Sequence, residues 1–454
     1  MNDKTDNQGL SQRLHNVIPG GAHTYSRGDD QFPAIAPALL ERGEGAYVWD
    51  TQGNRFLDYG MALRSVTLGY GHPAVNAAAL AEMNKGVGLT RASLTELKAA
   101  ERICDLIPSA DMVKFAKNGS NVTTAAVKIA RAYTKRQYVC VPRQHPFFSF
   151  DDWFIGVTPL KRGTLPEHAA LTLVFDYNDI GSLQALFDAH GDDIAAVMLE
   201  PATHITPTLS KGSVDWSGNT SPNNSTNFLH QVRDLAHRNG ALFILDEMIT
   251  GFRWHLKGAQ HFFDVEPDLA TFGKAMANGF ALAAVVGRRE FMEVGAIDKP
   301  GMERTFLLSS THGGEMPALG AFMAAADICE TENVPKHLWD YGNRLKTGLL
   351  DLAKVHGLAE NFDVEGPGVS LNYVTRDANG APSAELRTLF AQEMLKNGVM
   401  MPWISISLAH GDSELDLTLN AADAAMAVYV QALDQGTETL LDGPAVKPVF
   451  RAVN

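Results

Sequence analysis

Residues 242–254 read LFILDEMITGFRW, and after a polar spacer residues 267–288 read PDLATFGKAMANGFALAAVVGR. Leu242, Phe243, Ile244 and Leu245 form a short apolar run that ends abruptly in Asp246-Glu247. A run of this length suits a strand buried on both faces of a parallel sheet. In open α/β sheets the ligand-binding groups gather beyond the carboxyl ends of strands, and Asp246 falls at such an end. A second short run, 269–272, leads into Gly273-Lys274. Small residues (Ala275, Ala277, Asn278, Gly279) then separate the lysine from a third apolar run at 282–286.

A buried acid at one strand end and a lysine at the next suggest pyridoxal phosphate chemistry. That cofactor needs a lysine amine to hold it covalently and a carboxylate to keep its pyridine nitrogen protonated. A lone acid and a lone lysine carry little weight, since most such residues cap helices or sit in solvent. The words LDEMITGFR, PDLATFGKAMANG and AAVVGRRE are long, ordered and correctly spaced. The stretch resembles the class III aminotransferases, and more closely the branch that includes glutamate-1-semialdehyde aminomutase. The resemblance implies that Lys274 is the cofactor-bearing lysine and Asp246 the partner of the pyridine nitrogen. It covers roughly residues 15–435 and implies the α/β fold of the fold-type I pyridoxal phosphate enzymes: a large, mainly parallel-sheet domain and a smaller α+β terminal domain.

The chain has 454 residues, 45% hydrophobic and 20% charged, which is ordinary for a soluble globular protein of more than one lobe. A net charge of −14 points away from nucleic acid and anionic membrane surfaces. Cys104, Cys140 and Cys329 lie far apart, with no metal-ligand spacing, so no metal is expected and free thiols in a reducing compartment are. The polar N-terminus lacks an apolar signal core, and no apolar run approaches the length of a membrane span; the expected location is cytoplasmic.

Residues 10–17 read as a short helix ahead of IPGGAHTYSRG, a turn-rich segment. It resembles the entry segment of the aminomutase branch, which implies that Arg27 binds a substrate carboxylate; a planar guanidinium suits that bidentate task. Residues 46–58 read as a hairpin, with Arg64 beyond it as a second candidate anion binder. Helices are predicted over 73–84 and 94–106. A strand at 113–116, a glycine turn at 117–121 and a helix over 122–133 together make a phosphate site, because exposed N–H groups and the helix dipole favour an anion there. FAKNGSNVTTAAVKIAR resembles the family's phosphate-binding segment, which places Gly119 and Ser120 on the phosphate. Asn121 stands where the family usually has an acid.

A strand at 138–141 leads to Arg143-Gln144-His145-Pro146-Phe147. The family commonly carries a tyrosine that stacks on the cofactor ring where this chain has Gln144. His145 matches the family histidine and, with Phe147, is a candidate for the aromatic surface. Strands are predicted at 171–175 and 194–199, the latter ending in Glu200, which the resemblance places in the cofactor pocket. A helix is predicted over 179–190 and another over 228–239. Residues 203–226 read as an irregular surface excursion, a lid or an interface arm. In TFLLSSTHGG, residues 305–314, the resemblance implies that Thr311 crosses a homodimer interface to the partner's cofactor phosphate. Beyond the helix over 316–331 the pattern changes, with helices predicted over 339–356, 384–397 and 412–433, a strand-rich stretch at 368–374 and an extended segment at 399–407. The expected divisions are 1–60 (arm and hairpin belonging to the small domain), 61–325 (large cofactor-binding domain) and 326–454 (C-terminal small domain).

The implied reaction is amino transfer from a glutamate-like donor to an aldehyde, keto acid or keto sugar. An intramolecular aminomutase and a lyase on the same scaffold are the alternatives. The PGG segment favours the mutase. Gln144, Thr203-His204 and an ANGFALAAVVG run lacking the extra glycines of aminomutases count against it.

Overall fold

The computed structural model describes residues 4–209 and 226–453. Most of the excursion expected at 203–226 therefore lies outside the described residues. The chain divides into two compact units, 73–336 with 452–454, and 1–72 with 337–451.

In the second of these units β1 (Leu40–Glu44), β2 (Tyr47–Asp50), β3 (Arg55–Asp58) and, late in the chain, β13 (Val399–Met400) form one sheet in the order β1-β2-β3-β13. The β2–β3 hairpin turns on Asp50, whose carboxylate accepts the N–H groups of Gln52 (2.9 Å) and Asn54 (2.8 Å). Strand β1 escapes a reading by periodicity because LERGE is charged and mostly exposed. The helices Ala384–Lys396 and Asp412–Gln435 pack on one another in the same unit.

The unit 73–336 is built on a seven-stranded sheet of β4 (Met112–Ala116), β5 (Tyr138–Pro142), β6 (Thr172–Phe175), β7 (Ile194–Leu199), β8 (Leu242–Glu247), β9 (Leu269–Phe272) and β10 (Ala283–Gly287). Their order is β4-β10-β9-β8-β7-β5-β6. The pairs β5–β6, β5–β7, β7–β8 and β8–β9 are parallel, while β10 runs antiparallel to both β9 and β4. Two reversals restore the direction, so β4 runs with β5–β9. Six carboxyl ends thus share one edge of the sheet, which is where an α/β sheet collects its ligand-binding groups.

Every residue of β7, β8, β9 and β10 is buried, as continuous apolar runs covered on both faces must be. The helix Gly119–Thr134 lays Val122, Ala125, Ala126, Ile129 and Ala130 into the same core as Ile244, Leu269 and Val285. Its first turn begins at Gly119 rather than at 122. The Asn118 side chain accepts the Asn121 N–H (3.0 Å) and so caps the helix early. The NGS turn is therefore the helix N-terminus itself.

Candidate functional site

Five side chains picked out from the sequence stand at the carboxyl ends of these strands: Ser120 after β4, His145 after β5, Glu200 after β7, Asp246 in β8 and Lys274 after β9. Gly119 opens the helix beside Ser120.

Asp246 is 2% exposed. Its Oδ1 accepts the Met248 N–H (3.0 Å) and the Thr271 hydroxyl (2.8 Å), the latter from the neighbouring strand β9. Burial pushes its pKa up to about 6, against the pull of these two donors and of the positive Lys274. Lys274 opens the short turn Lys274–Ala277, is half-buried and takes a positive φ of 43°. A non-glycine residue rarely adopts that conformation, and such strain gathers at functional positions.

Met248 links the strand end to the phosphate turn. A Cβ added at Gly119 would meet its Cγ at 3.1 Å, and one added at Gly273 would meet its Sδ at 2.5 Å. The side chain thus packs against glycines that flank the two predicted anchoring points. No periodicity marks Met248, but the flanking glycines are a signal that could have found it. Glu247, adjacent to Asp246, alternates to the opposite side of the strand. Its carboxylate accepts the Thr250 hydroxyl (3.0 Å) and the N–H groups of Ala259 (2.5 Å) and Gln260 (3.0 Å). That acid is wholly engaged in holding the 250–260 segment.

Ser120 is buried and its Oγ accepts the Phe150 N–H (3.0 Å), while Thr123 donates to the Phe148 carbonyl (2.8 Å). The helix N-terminus and the segment after β5 are thereby fixed to each other. The Ser120 hydroxyl hydrogen and the first-turn N–H groups are the natural anion donors.

His145 is 3% exposed, and its Nδ1 accepts the Glu200 N–H (3.0 Å). In the neutral ring that bond places the proton on Nε2, and Nε2 is buried with no hydrogen-bond partner. Burial drives the His145 pKa down to about 3, so the ring stays neutral. Gln144 turns away: it bonds Asp176 (2.9 Å) and the Tyr177 N–H (2.8 Å) at the end of β6 and is exposed. Phe147 is 44% exposed and meets Phe154 edge-on. Glu200 is buried, and its charge helps raise the Tyr177 pKa after burial itself.

Three further predicted residues lie outside these strand ends. Thr311 is exposed, in the stretch beside Leu308, Ser310 and Gly313 that faces β4 residues Val113 and Phe115. Arg27 and Arg64 belong to the other unit. Arg27 closes the turn Tyr25–Arg27 and is exposed; Arg64 is half-buried with φ 67°. Among the described residues, no group of three or more His, Cys, Asp and Glu is arranged to hold a metal.

The residues fit pyridoxal phosphate on three counts. A helix N-terminus with a buried serine suits the phosphate. A buried carboxylate short of a full cation partner suits a protonated ring nitrogen. An orphaned imidazole N–H suits a polar ring substituent or the ring face.

The family model for aminotransferase class-III matches residues 25–405. A glutamate-1-semialdehyde 2,1-aminomutase from Thermus thermophilus is 32% identical, covering 91% of this chain and 98% of that protein. A 3-aminobutyryl-CoA aminotransferase from Cloacimonas acidaminovorans is 29% identical, over 92% and 96%. Among solved structures, the FumI protein of Sphingopyxis sp. MTA144 with pyridoxal phosphate superposes with a TM-score of 0.82 at 25% identity, over 96% and 100% of the two chains.

Proposed function

We propose, because this chain belongs to the class-III aminotransferase family, that Lys274 and Asp246 are the catalytic pair of its amino transfer. The enzyme uses pyridoxal phosphate on the fold-type I scaffold. When bound, that cofactor supplies a ring that takes up the electron pair left when a proton departs from the amine-bearing carbon. The protein's share is holding, orienting and proton movement. Lys274 would hold the cofactor, and its amine would carry the proton from the substrate carbon. Asp246 would pair with the ring nitrogen: a cation there would draw the carboxyl pKa back down, and the ion pair would keep the nitrogen protonated. Gly119 and Ser120 anchor the phosphate. His145, neutral and buried, would offer its Nε2–H or its ring to the cofactor. Glu200 lines the pocket, and Arg27 and Arg64 meet carboxylates of the small-molecule donor and acceptor.

The observation that carries this reading is the buried Asp246 carboxylate, bonded across to β9 and charge-coupled to the lysine that follows β9. Purified protein is expected to be yellow, with a visible band that borohydride removes. Lys274→Ala should lose the covalent link and lower turnover by several orders of magnitude; a variant turning over at the wild-type rate overturns the assignment.

We assign the chemistry to intermolecular transfer from a glutamate-like donor to an aldehyde, keto acid or keto sugar. The relative named as an aminotransferase supports this. The aminomutase relatives, 29–32% identical, favour intramolecular transfer as the second reading. Keto acid released stoichiometrically from a donor, with no acceptor present, marks the transferase. Isomerisation without release marks the mutase, and ammonia marks a lyase. The working form in this proposal is a cytoplasmic homodimer with Thr311 reaching the partner's cofactor phosphate. Free cysteines support the compartment, and among the described residues no helix is long and apolar enough to cross a membrane.

A further inference from the structure

Three neighbouring strands of the unit 73–336, in the order β7-β5-β6, end close together. His145 follows β5, Tyr177 follows β6 and Glu200 follows β7. Four contacts join these ends into a closed circuit. The Glu200 N–H donates to His145 Nδ1 (3.0 Å). The Tyr177 hydroxyl donates to the carbonyl of the next residue, Pro201 (2.7 Å). The Tyr177 ring packs on the His145 ring, with centroids 4.8 Å apart. Gln144, just before His145, accepts the Tyr177 N–H through Oε1 (2.8 Å) and donates through Nε2 to Asp176 (2.9 Å). An amide offers an acceptor and a donor on one short arm, and here both are used.

Tyr177 thus grips the His145–Glu200 bond from both sides. Its ring lies against the acceptor, and its hydroxyl holds the turn that carries the donor. Tyr177 is itself fixed: it is 7% exposed and meets Phe228, the first residue of the helix Phe228–Arg238, edge-on at 5.0 Å. Burial and the Glu200 charge hold its phenol in the protonated, donating form. The circuit fixes the imidazole through Nδ1 and, among the described residues, leaves Nε2 buried with no hydrogen-bond partner. An unmet buried donor is costly, and one held this firmly is poised for an incoming acceptor.

We propose that Tyr177 and Gln144 are positioning residues, which fix the His145 ring so that its Nε2–H meets an acceptor atom of the bound cofactor. The destination of that donor rests on the amino-transfer reading; the fixing of the ring does not.

Nitrogen-15 spectra of the apoprotein read the ring alone, with His145→Asn to assign its signal. Burial lowers the His145 pKa to about 3. At about pH 5, between that value and the usual histidine range, the wild-type ring should be neutral with its proton on Nε2. Tyr177→Leu and Gln144→Ala should let it ionise. Tyr177→Phe keeps the ring contact, loses the tie to Pro201 and should fall between. Phe187→Leu removes a ring of the same unit, 3% exposed, on the helix Ile180–His190, and should leave His145 neutral. Gln144 is exposed, so Gln144→Ala serves if Tyr177→Leu does not fold. In the holoenzyme, Tyr177→Leu should release cofactor roughly tenfold more readily. It should also weaken the visible circular dichroism of the bound cofactor, and lower kcat roughly ten- to hundredfold with the KM of the amino donor little changed. Gln144→Ala should move each quantity in the same direction and less far. A wild type without a borohydride-sensitive band overturns the amino-transfer reading. A wild type with that band, whose Tyr177→Leu and Gln144→Ala variants match Phe187→Leu in ring ionisation, overturns the positioning roles alone. A ring that ionises in both variants while cofactor retention, dichroism and kcat stay as in Phe187→Leu overturns the contact with the cofactor.

Discussion

Asp246 sits where two demands oppose each other. Burial raises its pKa from 3.8 to about 6, which corresponds to roughly 3 kcal/mol of destabilisation of the ionised form. A raised carboxyl pKa adds stability below the unfolded value and loses it as pH rises through the folded one. In the apoprotein that loss runs from about pH 4 to about pH 6. His145 and His410, both lowered to about 3 by burial, act in the other sense: their neutral forms are favoured, and stability is lost as pH falls from 6.5 toward 3. Comparing wild type with Asp246→Asn cancels the histidines. The apo variant should gain on wild type in urea melts as pH rises from 4 to 7, while its turnover drops by roughly a hundredfold to a thousandfold. A difference in stability independent of pH would mean the carboxylate is not the strained group described here.

At the scale of elements, the central strands were legible because parallel strands buried on both faces read as short apolar runs with charged punctuation. The runs 194–199 and 269–272 match β7 and β9 at both ends. Half-buried pieces left a weaker trace. The strand FDVE (Phe362–Glu365) alternates buried and half-buried positions with two acids in four residues, so its pairing with β12 (Asn372–Thr375) shows only in three dimensions. The left-handed turn at 61–64 carries no glycine and so no sequence mark; it exists because Asp58 and Tyr70 impose it. Met248 bears no periodicity of its own, and only Gly119 and Gly273, which leave the space it fills, mark it in the sequence. Gly273→Ala should therefore push Met248 toward Gly119 and cost roughly 1–3 kcal/mol. Combination with Met248→Ala should recover part of that loss, because residues in contact are not additive. Urea melts of the two single variants and the double variant read this directly; strict additivity would remove Met248 from the account.

Across the whole molecule, the exposed apolar side chains are unevenly placed. Leu80, Met83, Val87, Leu89, Leu94 and Leu97 are each 45–66% exposed and fall within one stretch of the unit 73–336. Phe306, 75% exposed, lies five residues before Thr311. Monomeric proteins rarely leave such a concentration in water, and a second copy of the chain is the occupant that would also give the exposed Thr311 a purpose. The two features separate by mutation. Leu89→Glu together with Leu97→Glu should convert a two-chain particle into single chains in sedimentation velocity and should release cofactor in parallel. Thr311→Ala should leave the two-chain mass intact and weaken only cofactor retention, by roughly tenfold for a lost bond to a charged phosphate. A Thr311→Ala protein that retains cofactor as wild type does, while the charged variant sheds it on dissociation, would move the contribution of the second chain from Thr311 to some other residue of the same surface.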